Sequence, residues 1–189
     1  GANEAAVATG WHAIEFLLWG QDNTAPADNM AGQRAFTDYT TANYATRRGQ
    51  YLQVVTNLLI ADLNDLVSTW NTGGTYRTVF NGLNEDVALL QLLTGAHFIA
   101  GDELSSERMI APVDSDGGLN GTGQEDEHSC FSDNTHRDIF ANAKGVYNVV
   151  FGEYGSINGA SFYDLVNQVN STQAEALKTA GDNAMAKVN

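Results

Sequence analysis

The chain is poor in three things: cysteine, proline and positive charge. Its 189 residues hold one cysteine, Cys130, two prolines, Pro26 and Pro112, and 9 lysines and arginines against 23 aspartates and glutamates. One cysteine excludes an internal disulfide framework. Glu125, Asp126 and Glu127 lie close to it in sequence and disfavour a thiolate, so Cys130 has no basis as a nucleophile and reads as a small, buried or half-buried residue. A formal charge of −14 repels nucleic-acid phosphates and anionic lipid surfaces, and makes cations the better partners. Long hydrophobic runs are also missing. The stretch from Ile14 to Trp19 is interrupted by Glu15 and falls far short of the roughly 20 residues that span a bilayer, so no transmembrane segment is expected. The amino end lacks a basic region followed by an apolar stretch and a cleavage site, an absence without weight if the chain begins inside a longer precursor.

What is present is helical period. A hydrophobic content of 43% is enough to bury a core, as one large domain or two small ones. Between glycine clusters the apolar residues recur at three- and four-residue spacing, so the fold class is all-α. A first helix is predicted over 3–19, closed by Gly20 in a left-handed cap, with a loop over 21–32. A long helix over 38–70 carries Tyr51, Val55, Leu58, Leu59, Leu66 and Trp70 on one broad face and ends at the Asn71 to Gly74 run. A third, over 84–106, aligns Val87, Leu90, Leu93, His97 and Leu104 and is expected to be mostly buried. The glycine-rich stretch 111–124 reads as a long, flexible loop. A helix over 134–154 follows. Ser161 with Asp164, and Thr172 with Glu175, have the spacing of capping boxes and announce two closing helices.

The stretch Gly10-Trp11-His12-Ala13-Ile14-Glu15 carries the clearest chemistry. His12 and Glu15, three residues apart on a helix, project from one face near enough to hold one ion, with Glu4, Ala8 and Trp19 on the same side. Imidazole nitrogen with carboxylate oxygen suits iron, zinc or manganese, and helical bundles build metal sites from such inward pairs. Two ligands do not complete a site, and a zinc-protease helix needs two histidines one turn apart with a glutamate as base. Spacing alone favours an ordinary helix-surface pair worth a few tenths of a kcal/mol.

A second concentration lies at 124–138, where two of the four histidines and several carboxylates follow the glycine-rich loop. Glu127, His128, Asp133 and His136 are donors that iron and zinc accept. The competing reading is structural: Ser132, Asp133 and Asn134 are favoured N-caps for the next helix, Ser132 above all, and acidic residues there meet the helix dipole favourably. Asp114, Asp116 and Glu125 begin like a calcium loop, but Leu119 stands where its glycine belongs. His97, amid leucines, reads as a hydrogen-bonded core residue outside any site.

The segment Gly10-Trp11-His12-Ala13-Ile14-Glu15-Phe16-Leu17-Leu18-Trp19-Gly20-Gln21-Asp22 resembles the Gly-x-His-x-x-Glu signature of the imelysin family, including its iron-regulated protein A-like members. In the same order, Arg47 to Leu52, Gly101 to Met109 and Gln124 to His136 are also similar to that family. The resemblance implies an exported bacterial envelope protein, periplasmic or outer-membrane-associated, with helices in two bundle-like halves. It also implies a link to iron uptake or iron-dependent regulation and a historical grouping with metallopeptidases. It carries Gly10, His12 and Glu15 over as the metal-binding or active-site motif. Against the family pattern, residues 1–189 are expected to form a helical domain short at both ends, which leaves the site to be completed by further segments or a second copy of the chain. Three functions follow. The first is an iron-binding protein acting with other envelope iron-uptake proteins. The second is a zinc peptidase with Glu15 as base, and the third a helical interaction module without metal.

Overall fold

The computed structural model describes residues 8–28, 30–115 and 123–189. Among them regular structure is helical, apart from one short hairpin, and the fold is all-α as expected. The chain divides into two compact units. One contains the residues up to Asn84 together with Ser129–Asp133; the other contains Glu85–His128 and Asn134–Asn189.

The first unit is built on α1 (Trp11–Trp19), α2 (Ala45–Trp70) and α3 (Thr75–Asn81). The first helix does not run through from residue 3: residues 8–10 are not helical, and the part before them lies outside the described residues. The second begins at Ala45 rather than near 38, because Tyr44 adopts a left-handed conformation (φ 63°) that an α-helix does not pass through. Ahead of it, Phe36–Tyr39 form one 3₁₀ turn. Arg34 pairs with the Asp38 carboxylate at 2.9 Å, and Arg48 donates to the Asp38 carbonyl. Only Val55 of the expected apolar face of α2 is fully buried; Tyr51, Leu58, Leu66 and Trp70 remain exposed. Trp70 closes the helix against Tyr76 of α3, edge to face at 4.8 Å.

The second unit opens with α4 (Glu85–Phe98), which continues without a break into a π-helix (Ile99–Ile110) and then α5 (Ala111–Asp114). This corrects the single α-helix over 84–106. In a π-helix residues five apart stack, and Glu103 and Arg108 do so in an ion pair of 3.0 Å. The change of winding breaks the alignment that the 3.6 period assumed. Leu104 turns inward while Val87, Leu90 and Leu93 face outward, Leu90 at 64% exposure, and His97 is exposed rather than a core histidine. The expected loop over 111–124 is helical at both edges, in α5 and in α6 (Gly123–Asp126); 116–122 lie outside the described residues.

Next comes α7 (Thr135–Phe151), ended by Gly152 in the left-handed region. Residues 153 and 154, expected to be helical, instead form β1 (Glu153–Tyr154), paired antiparallel with β2 (Ile157–Asn158). The first predicted capping box is present, Ser161 and Asp164 satisfying each other's backbone at the start of α8 (Phe162–Val169). The second is not: α9 (Ser171–Val188) is capped by Asn170, whose side chain accepts the Gln173 N–H at 3.1 Å. Its Lys178 lies over the Phe151 ring and holds both Asp182 oxygens, tying α9 to α7. No helix among the described residues is long and apolar enough to cross a membrane.

Candidate metal centre

The helix that carries His12 and Glu15 is defined by its ends. Gly10 (φ 90°, ψ −169°) and Gly20 (φ 78°, ψ −173°) both adopt a conformation that is essentially confined to glycine. Gly20 therefore stops the helix with positive φ but not in the left-handed helical cap that was expected. Nothing lies within 4 Å of a methyl built on Gly10, so the motif's glycine answers a backbone requirement and not a lack of space. At the other end three of the last four carbonyls, those of Phe16, Leu17 and Trp19, find donors. Gly20 N–H and Arg34 Nη2 both donate to Phe16 O, at 2.8 and 2.9 Å. The Tyr39 hydroxyl donates to Leu17 O, and Arg34 N–H to Trp19 O at 2.8 Å. Arg34 also lies over the Phe16 ring, 5.1 Å from its centre. A nine-residue helix is marginal alone; here four neighbouring groups hold its carboxyl end.

On this frame His12 Nδ1 and Glu15 Oε2 stand 2.8 Å apart, so the predicted pairing on one face is present. Glu15 is buried, at 8% exposure, whereas the His12 side chain is 47% exposed. The other oxygen, Oε1, accepts two hydrogen bonds from Ser132: its backbone N–H at 2.9 Å and its hydroxyl at 2.6 Å. Burial pushes the Glu15 carboxyl up. The hydrogen bonds from His12 and Ser132, with the attraction of the His12 charge, outweigh it and hold the carboxyl below its ordinary range. Glu15 is thus an ionised acceptor engaged at both oxygens, and the proton of a neutral His12 belongs on Nδ1.

Asp133 follows Ser132 in the same unit, with its backbone left-handed at φ 52°. Burial, and then the negative charge of Asp22, raise its carboxyl above the ordinary range. Asp22 is itself buried and accepts from the Thr24 N–H and hydroxyl at 2.9 and 2.7 Å. Neither Ser132 nor Asp133 caps α7: the N-cap is Asn134, without a side-chain cap bond, and the Ser132 hydroxyl goes to Glu15. Glu127, His128 and His136 belong to the second unit. There His128 Nδ1 meets Asp138 Oδ2 at 2.8 Å, Glu127 is half-buried and His136 is exposed. Cys130 is half-buried, as expected. Of the calcium-like residues, Asp114 ends α5 and Glu125 lies in α6, while Asp116 is outside the described residues, as is Glu4 of the α1 face.

Among the described residues no three His, Cys, Asp or Glu side chains come together as a ready metal cage. The His12 arrangement nevertheless fits metal chemistry. A metal-binding imidazole commonly donates its second ring N–H to a carboxylate, which fixes tautomer and orientation, and Glu15 stands in that position. A metal held by His12 would then bind through Nε2. Sequence reasoning missed Ser132 as a partner of Glu15, and missed Arg34 and Tyr39 as caps. No local signal separates a serine that caps a helix from one that donates to a carboxylate 117 residues away.

A helical fold carrying a histidine bonded to a buried carboxylate, on a helix bounded by two positive-φ glycines, defines an all-helical protein with a candidate metal motif. The model of the imelysin family, classed among metal-associated peptidases, matches residues 1–189, and the chain belongs to that family. No curated protein matches the chain.

Proposed function

We propose that this protein binds a metal ion, iron as the first choice and zinc as the alternative, with His12 as ligand and Glu15 as its carboxylate partner. The observation that carries this is the 2.8 Å contact between a half-exposed imidazole and a buried, ionised carboxylate. Asp133 is the further ligand we favour, because an ion beside it would relieve its repulsion with Asp22. In line with the family resemblance, we assign the protein to the bacterial cell envelope and to iron uptake or iron-responsive physiology.

The family's place among peptidases favours a second reading, hydrolysis by a metal-bound water. Against it, both Glu15 oxygens are engaged, Oε2 by His12 and Oε1 by Ser132, which leaves the carboxylate poorly suited as a base. Calorimetric titration of the full chain with ferrous iron and with zinc, beside His12→Ala, tests the binding reading. At least a tenfold loss of affinity is expected in the variant, and equal binding overturns the site. Metal-dependent peptide cleavage abolished by Glu15→Gln would reverse the order of the two readings.

A further inference from the structure

We propose that Ser132 is the positioning residue of the His12 site, selecting through Glu15 which ring nitrogen of His12 carries the proton and which meets a ligand. The assignment of that ligand as a metal rests on the reading above; the positioning role does not.

The geometry divides the labour between the two oxygens of one carboxylate. Ser132 delivers two donors to Oε1, at 2.9 and 2.6 Å, and His12 Nδ1 reaches Oε2 at 2.8 Å. A buried carboxylate held at one oxygen by two donors cannot rotate without breaking both bonds. Oε2 is thereby held toward His12, and an ionised oxygen is only an acceptor. A neutral imidazole therefore brings its proton to Nδ1 and carries its lone pair on Nε2. The tautomer is set from the far side of Glu15.

Ser132 is itself fixed on both sides. Before it, the Phe131 carbonyl accepts the Gly32 N–H at 2.9 Å, and the Phe131 ring meets Phe16 edge to face at 5.1 Å. The Ser132 N–H also reaches Ser129 O at 3.3 Å, which makes 129–132 a tight turn. After it, Asp133 has its backbone in the left-handed region. Phe16 lies next to Glu15 on α1, so the ring contact and the Ser132 bonds register the same two segments at adjacent residues. None of this is needed for a serine that merely fills space.

Ring ¹⁵N NMR of His12 in the metal-free full chain tests the proposal at a pH where the ring signals show the neutral imidazole. Wild type is expected to show chiefly the tautomer protonated at Nδ1; a majority protonated at Nε2 overturns the proposal before any variant is made. In Ser132→Ala the population is expected to shift toward the Nε2-protonated form. Zinc affinity is expected to fall about tenfold, the lower end for loss of a group that orients a ligand. Ser132→Thr keeps the hydroxyl and is expected to restore both. An alanine variant with the wild-type tautomer overturns the proposal, as does a folded threonine variant indistinguishable from alanine. A tautomer shift in a protein that binds no zinc or iron would sink the metal reading and leave the positioning role standing.

Discussion

The two histidine–carboxylate pairs of this molecule have the same length and different characters. His12–Glu15 and His128–Asp138 both close at 2.8 Å. Glu15, however, has a side chain only 10% exposed and accepts from three donors, whereas the Asp138 and His128 side chains are 22% and 28% exposed. Asp138 lies in the first turn of α7, where the helix dipole favours a negative charge. Its second oxygen has the Asn134 amide at a long 3.5 Å, and its backbone carbonyl accepts from Asn142, which Arg108 of the π-helix also contacts. Distance alone therefore does not separate the two pairs. Burial of the acceptor does so, together with the two Ser132 donors that fix Glu15.

The sharpest way to break this comparison is to remove each acceptor. Glu15→Ala leaves the Ser132 hydroxyl without its acceptor and the Ser132 N–H with only the 3.3 Å approach to Ser129 O, and is expected to cost about 2–3 kcal/mol, while Asp138→Ala is expected to cost about 1 kcal/mol or less. Urea unfolding of both variants reads the difference, and equal costs would erase the distinction.

A smaller effect is the acid response. The folded-state pKa of Glu15 lies below its unfolded value, so the unfolded chain binds more protons at acid pH and stability rises with pH there. This contribution is complete above the unfolded carboxylate range and is lost as pH falls through the folded value. Glu15→Gln is expected to remove that part of the acid dependence, whereas a variant whose stability still tracks wild type across the carboxylate range would contradict it.

Smallest of all is Asp133→Asn. The folded pKa is raised, so stability from this group is present at low pH and is lost as pH rises through the folded value. Asparagine tolerates the left-handed backbone and removes the repulsion with Asp22. Stability at neutral pH is expected to rise, within about 0.5 kcal/mol, while iron affinity falls if Asp133 is a ligand. A loss of stability would place the strain in the side chain's own contacts.

The helical class and the His12–Glu15 face were legible because both rest on local periodicity, and a separation of three fixes which side chains meet. Ser161 and Asp164 were legible for the same reason. Ser132 was not: Ser-Asp-Asn before a helix is also a capping sequence, and only the folded chain shows that its donors go to Glu15. Arg34 and Tyr39 reach the carboxyl end of α1 from 18 and 22 residues away, beyond any local pattern. The winding change at Ile99 was equally hidden, since the period that predicts a helix presumes 3.6 residues per turn throughout. Asn170 displaced Thr172 as a cap by two positions, a choice that composition alone leaves open.

The Glu15–Ser132 contact spans 117 residues, and that span has a kinetic meaning. Closing a longer loop adds only logarithmically to the entropy cost, so the finished site loses little by it. Contacts of such range nevertheless form late, after local helices such as α2 have been made. During synthesis the chain emerges from its amino end, so His12 and Glu15 are exposed to solvent long before Ser132 exists. The Glu15–Ser132 contact therefore waits for the 117-residue span that separates its partners, and a nascent protein displays the motif before Glu15 has these donors.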